Sequence, residues 1–579
     1  MIHLGVYALS FVKRIAALLL GALLLGAAGQ AWALDEERTG TPYGEIVYRR
    51  PSLAELQGAV DALEEALDRN ESLDELEPLL DKISTAYDEF DTMYTLADIE
   101  NCRDLGDTYW QRELAWCGEN YGELQRLLDE AYSACAQSAR GKELEQDYFW
   151  PGFSEEYGSD SGSLYTDELI ALMQEENRLL SEYRALLADA TVDLGSGEVN
   201  YRQAAASLEG DALLRAEELY HSKYHEPFAG LYLSLLRVRQ QQARELGYAD
   251  YADMAYDYTY GRDYTVGQTD AYLQSIKEEL VPVYRAVMAR DPYANVYYDL
   301  VDEDTLLEIL GTVAAAIGGA AQEACDFMLR CGLYDISPGS GKADLSFQVY
   351  LSAYDEPYLF MNPYGDSEDI LTLCHEFGHF TDAYRNHGAL ESIDLAEVYS
   401  QASEYLSLCA LRDVLPGEEL ENLLRLKLLD TLELYVQQGA WAAFESAVYA
   451  ADPDTLNADA LNALSLRVCQ DYGLCADGQE DDYATLWMDI PHLFEQPLYI
   501  ISYPVSNDLA LQVYALEREQ QGQGKTQYLE MLERFDESSG EVIFGITELI
   551  DRYGFESPFA DGHAAKTARL LAEALVGAS

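Results

Sequence analysis

From about residue 50 to 335 apolar residues recur at helical spacing. Leu53, Leu56, Val60, Leu63 and Leu67 form one such stripe, and Leu124, Leu127, Leu128 and Ala131 another. Acidic residues fill the gaps, so amphipathic helices with solvated outer faces are expected. The stretch from Trp150 to Tyr165 is rich in Gly, Ser and Asp and reads as a loop. The pattern changes at 337–366. A turn-rich run, Ser337-Pro338-Gly339-Ser340-Gly341, precedes two short strands, Leu345–Leu351 and Pro357–Met361, joined through Asp355-Glu356-Pro357. Helical spacing resumes after 366 and continues to the end, with interruptions near Cys475–Asp482 and at Pro504. The expected fold is mostly α. A helical lobe over 34–200 precedes a larger region over 201–579 that holds the strands, and no internal repeat is visible.

The first 33 residues stand apart. Lys13 and Arg14 precede an apolar run from Ile15 to about Ala28, and Ala31-Trp32-Ala33 offers small residues where a signal peptidase reads. The run is short for a membrane span, so a cleaved secretory signal over 1–33 is expected, with no stable membrane insertion after its removal. The mature chain would be extracellular or associated with the cell surface. The chain has 579 residues, 49% of them hydrophobic, enough for a large core in two or three lobes. A formal net charge of −67 repels nucleic acid and anionic lipid, and no nucleic-acid partner is expected. Nine cysteines follow the signal. Cys325/Cys331 and Cys469/Cys475 are close enough in sequence to pair, and none has a Cys-x-x-Cys spacing. Gly339-Ser340-Gly341-Lys342 is not a phosphate loop: Ile336 stands where the first Gly belongs, and Ala343 replaces the Ser or Thr.

Asp366-Ser367-Glu368-Asp369 is a helix start, with a capping side chain and acids in the first turn. The helix it opens carries His375-Glu376-Phe377-Gly378-His379. Histidines four apart lie one turn apart on one face, so both imidazoles can reach one metal ion. Glu376 can then take a proton from a metal-bound water, which zinc makes acidic near neutrality. A catalytic site needs a third protein ligand and an open position. A His six residues after His379 is ruled out, because position 385 is Arg. A following helix offers Glu397, Ser400 and Glu404 on one face, at i, i+3 and i+7, and a buried face with two carboxylates wants a cation. His221 and His225 also stand four apart, with no acid between them.

These residues carry a resemblance. The chain resembles the thimet oligopeptidase and oligopeptidase F family of zinc peptidases, and is closer to the oligopeptidase F branch. The matching segments are His375–His379 and the Glu397-x-x-Ser400-x-x-x-Glu404 helix. Arg239 with Leu246-Gly247-Tyr248, and His492 with Tyr499 and Tyr503, are similar to further segments of the family. The resemblance implies one Zn2+ per chain held by His375, His379 and Glu397, with Glu376 as general base. His492, Tyr499 and Tyr503 would face the metal and donate to the charge on the attacked carbonyl. It also implies a two-lobed helical metallopeptidase with a small β-sheet beside the zinc helix and a deep central cleft. Such an enzyme would hydrolyse internal bonds of oligopeptides. Relatives often carry a further His three residues after the second ligand. Here Asp382 stands there, either as an acceptor orienting an imidazole or as a solvent-facing acid. Two other readings share the motif: a helical zinc peptidase of the peptidyl-dipeptidase or carboxypeptidase type, and a non-catalytic exported peptide-binding protein.

Overall fold

The computed structural model describes residues 39–577 apart from 150–152, 159–164, 196, 206–207, 294–295, 297–299, 389–391, 476–477, 479, 537–540 and 543–544. The segment read as a secretory signal lies outside the described residues.

Helices dominate, as the periodicity requires. Three long ones open the chain: α1 (Leu53–Asp68), α2 (Leu73–Arg103) and α3 (Thr108–Gln137). The stripe at Leu56, Val60, Leu63 and Leu67 is buried against the Leu124–Ala131 stripe of α3 in a small hydrophobic core spanning residues 56–157. A second, much larger core takes in most of the chain from Met93 to Leu571. Helix α2 belongs to both cores. Leu76, Leu80, Ile83, Tyr87 and Phe90 fill the small one, and Met93, Leu96, Ile99 and Cys102 fill the large one. One continuous 31-residue helix thus couples the two cores. Ser72 and Glu75 start it with a reciprocal capping box. The Trp150–Tyr165 stretch is not all loop. Phe153–Tyr157 is a short helix whose Phe153 and Tyr157 are buried in the small core, while 150–152 and 159–164 lie outside the described residues.

The two expected strands form, as β2 (Ser346–Leu351) and β3 (Glu356–Met361). They pair antiparallel with Ser346 opposite Met361 and Leu351 opposite Glu356. A third strand that the sequence pattern did not announce, β1 (Tyr334–Asp335), adds in parallel to the other side of β3. Two residues are too few for an alternating pattern to show. Lys342 ties this sheet to its approach: its Nζ donates to Asp335 (2.8 Å), to the Ser337 carbonyl (2.7 Å) and to the Met361 carbonyl (3.0 Å).

Behind the sheet lie α4 (Glu368–Arg385) and α5 (Ile393–Ala410), packed on each other. A later helix, α6 (Ser502–Glu519), packs along the other side of α5. Gly378 sets the approach of α4 to α5. A Cβ there would lie 2.6 Å from the Ser400 Cα and 2.8 Å from the Tyr399 carbonyl oxygen, so only glycine permits it.

No disulfide joins the nine cysteines, which corrects the suggested pairings. Cys325 and Cys331 sit six residues apart on one helix (Ala320–Cys331), which sets them about 9 Å apart along its axis, too far for a disulfide. Among the described residues no helix is long and apolar enough to cross a membrane.

Candidate metal centre and active site

Helix α4 starts on two acids. Asp366 Oδ1 accepts from the Glu368 N–H (2.9 Å), and Asp369 accepts from the backbone N–H groups of Tyr364, Gly365 and Asp366. Ser367 makes no capping bond. Two turns on, His375 and His379 present their rings on the face turned to α5, centroids 5.0 Å apart. Glu397 of α5 comes between them. One of its oxygens is 3.4 Å from His375 Nε2 and the other 3.9 Å from His379 Nε2. One ligand atom from each of the three residues lies within 4.8 Å of the others, the only such group among the described residues. Two imidazoles and a carboxylate suit a divalent transition metal, zinc among them.

Both oxygens of Glu397 are held. Ser400 Oγ donates to Oε2 (3.2 Å) and the Tyr499 hydroxyl to Oε1 (2.5 Å). Ser400 therefore has a use that its i+3 spacing from Glu397 made visible. Glu404, one turn further along α5, bonds His375 Nδ1 at 2.9 Å, which leaves Nε2 toward Glu397. Behind Glu404 stands Lys427, 1% exposed, its Nζ 2.7 Å from Glu404 Oε2. Lys427 lies on a separate helix, Gly417–Glu433, and no local pattern in the sequence marked it.

The electrostatics follow from burying three carboxylates together. Burial pushes the Glu376 carboxyl up to about 8; Glu397 and Glu404 raise it further and His375 opposes them. Burial also raises Glu397. Burial works against charge on Glu404, but Lys427 and His375 outweigh it and hold that carboxyl below its usual range. Burial likewise opposes charge on His375, yet the bond to Glu404 and the nearby carboxylates raise it to about 9. His379 is driven well down by burial and by His375. The protein alone thus answers three acids with Lys427 and a proton on His375. A divalent cation among these donors would replace that proton and balance the remaining charge.

His492, Tyr499 and Tyr503 arrive from a distant segment. Their rings lie 5.3–6.0 Å apart. His492 Nε2 and the Tyr503 hydroxyl are 3.2 Å apart. Burial alone lowers His492 to about 4, so its ring is neutral at mid-pH. Asp382 takes neither of its two expected roles. It is buried and paired with Arg534 (3.3 Å), with Asn386 donating to it at 2.8 Å. His221 bonds Asp489 at 2.7 Å and His225 Nδ1 sits against the His221 carbonyl, so the pair forms no second metal group. Arg239 is fully buried, bonded to Glu176, the Tyr449 hydroxyl and the Phe494 carbonyl.

Residues 43–153 match the model for the Peptidase M3 N-terminal domain. No curated protein matches the chain. Solved structures share its architecture over nearly their whole length. An X-ray structure assigned as an oligoendopeptidase F superposes with a TM-score of 0.77 at 22% identity, covering 93% of this chain and 99% of that one. PZ peptidase A, solved with an inhibitor, gives 0.78 at 20% over the same shares. A structure assigned as an oligoendopeptidase F from Bacillus anthracis str. Ames gives 0.75 at 21%, again over 93% and 99%. The fold is therefore the one these solved oligopeptidase structures share, as the motif resemblance implied, and residues 43–153 match the Peptidase M3 N-terminal domain.

Proposed function

We propose that the chain is an exported zinc metallopeptidase that hydrolyses internal bonds of oligopeptides. The observation that carries this reading is the convergence of His375, His379 and Glu397 ligand atoms within 4.8 Å, with Glu376 beside the first ligand. A zinc ion held by these three would supply Lewis acidity and lower the pKa of a water in its open position. The chain's own residues do the rest. Glu376, buried and raised toward neutrality, is suited to accept a proton at its carboxylate and pass it to the leaving amine. Glu404 fixes the His375 tautomer, and Lys427 keeps Glu404 charged in a buried setting. Neutral His492 and the Tyr503 hydroxyl are donors for the oxygen of the attacked carbonyl, and Tyr499, whose hydroxyl donates to Glu397, would join them once a metal takes that carboxylate.

A binding protein has no use for a buried general base, so Glu376 favours catalysis over capture of peptides. The test is product mapping. A defined peptide mixture is incubated with the purified chain, and fragments are read by mass beside Glu376→Gln. Internal cuts that vanish in the variant support the reading. Release of C-terminal residues or dipeptides alone would move it to the exopeptidase class, and no cleavage with peptide still bound would favour the binding protein. Export is part of the proposal, supported by the Lys13-Arg14, apolar and Ala31-Trp32-Ala33 sequence. Recovery of chains beginning at Leu34 outside the cell tests it.

A further inference from the structure

We propose that Glu445 is a positioning residue. With Arg262 it holds the Leu498 peptide units in a left-handed turn and so aims Tyr499 at Glu397. The inference rests on the role given to Tyr499 above. Leu498 has φ +65°, a region that a bulky L residue enters only when its surroundings impose it. The surroundings here are two buried side chains. The Leu498 N–H donates to Glu445 Oε1 at 2.6 Å, and the Leu498 carbonyl accepts from Arg262 Nη1 at 2.9 Å. They come from 53 and 236 residues away in the chain, and they brace a turn that is closed locally only by the Tyr499 N–H donating to the Gln496 carbonyl at 3.2 Å. The Tyr260 hydroxyl adds a bond to the preceding Pro497 carbonyl (2.6 Å).

The next residue is Tyr499. Arg262 also links this turn to the helix that bears Glu397. It pairs with Asp394, three residues before Glu397, at 3.2 Å, and donates to Ser502 at 2.8 Å. Arg262 and Asp394 are both fully buried. Reaching across this joint, the Tyr499 hydroxyl meets Glu397 at 2.5 Å. Without the Glu445 acceptor the Leu498 N–H would be buried with no partner, and the strained turn would lose one of its two anchors. Glu445 is fully buried on the helix Gly439–Tyr449, and it touches none of the candidate catalytic or metal-binding side chains by hydrogen bond. Its second oxygen has no hydrogen-bond partner among the described residues, and the residue lines a cavity of about 130 Å³ with Tyr256, Thr269 and Leu498. Burial pushes its carboxyl up to about 8, which makes glutamine a close replacement for the neutral acid.

The test compares Glu445→Leu and Glu445→Gln. Activity on a quenched peptide should fall roughly tenfold or more in kcat for Glu445→Leu, with KM little changed, and stay near the parent for Glu445→Gln, which keeps the acceptor. In a Tyr499→Phe background, Glu445→Leu should add less than about a twofold loss, because its effect runs through Tyr499. Equal losses in both backgrounds would overturn the proposal. A second readout does not need turnover. 3-Fluorotyrosine placed at 499 should give one 19F resonance in the metal-free parent and in Glu445→Gln, and a shifted or split one in Glu445→Leu. An unmoved resonance would overturn the proposal even if the peptidase reading fails, and a moved one would uphold the clamp independently of it. Should Glu445→Leu not fold, Glu445→Asp, which withdraws the acceptor by one methylene, is scored by the same readouts.

Discussion

The two sides of the candidate site are built differently. The ligand side, α4 and α5, is regular helix. His375, His379, Glu397 and Glu404 are placed by helical period, and Gly378 sets how closely the helices approach. The donor side, His492 to Tyr503, runs from a short helix (Pro491–Glu495) through an irregular turn into α6, and the turn contains a leucine in the left-handed region. Its geometry is imposed by Glu445, Arg262 and Tyr260 from elsewhere in the fold. One side is therefore written locally and tolerates little change in spacing. The other is assembled by tertiary contacts and is open to being detuned from a distance.

Breaking the ligand side should have the larger effects. Glu376→Gln should lower kcat by roughly 100- to 10,000-fold while metal binding, read by atomic absorption, persists. On the donor side, Tyr499→Phe should cost about 100-fold in kcat, measured at saturating peptide. It should also weaken metal retention slightly, because Glu397 loses a hydrogen bond. Lys427→Met should weaken zinc affinity by about 10-fold in competition with a chelating dye, since Glu404 would be left charged and buried without its cation. A Lys427→Met chain with parental affinity would remove Lys427 from the site. Gly378→Ala should destabilise the fold by about 1–3 kcal/mol in urea unfolding, because the new methyl meets backbone that cannot yield.

The smallest effect sharpens the comparison through pH. The Glu445 carboxyl is raised from 4.5 to about 8 in the folded chain. The folded state therefore binds more protons than the unfolded state between those values, and stability falls as pH rises through that window. Glu445→Gln should remove that part of the slope, so its melting temperature should gain on the parent more at pH 8 than at pH 5. Equal gains at both pH values would mean that Glu445 is already ionised below pH 5.

The contrast also explains what was legible in the sequence. The helices, the β2–β3 pair and the His375–His379 and Glu397–Glu404 faces follow from period and spacing, which one chain displays. The shared use of α2 by two cores did not show, because its stripe is continuous. Strand β1 is too short to alternate. Lys427, Glu445 and Arg262 were missed because a charged residue that will be buried looks like any other in the sequence until its partner is in view. The role of Asp382 turned on Arg534, 152 residues away. Leu498 gave no glycine or asparagine signal for its left-handed turn.

The most direct test of the central claim is metal removal and return. The purified chain is stripped with a chelator, assayed on a quenched peptide, and titrated with zinc while bound metal is counted. The account predicts no turnover after stripping, recovery that saturates at one zinc per chain, and no recovery in His375→Ala or His379→Ala. Undiminished turnover by the stripped chain, or recovery in those variants, would contradict it.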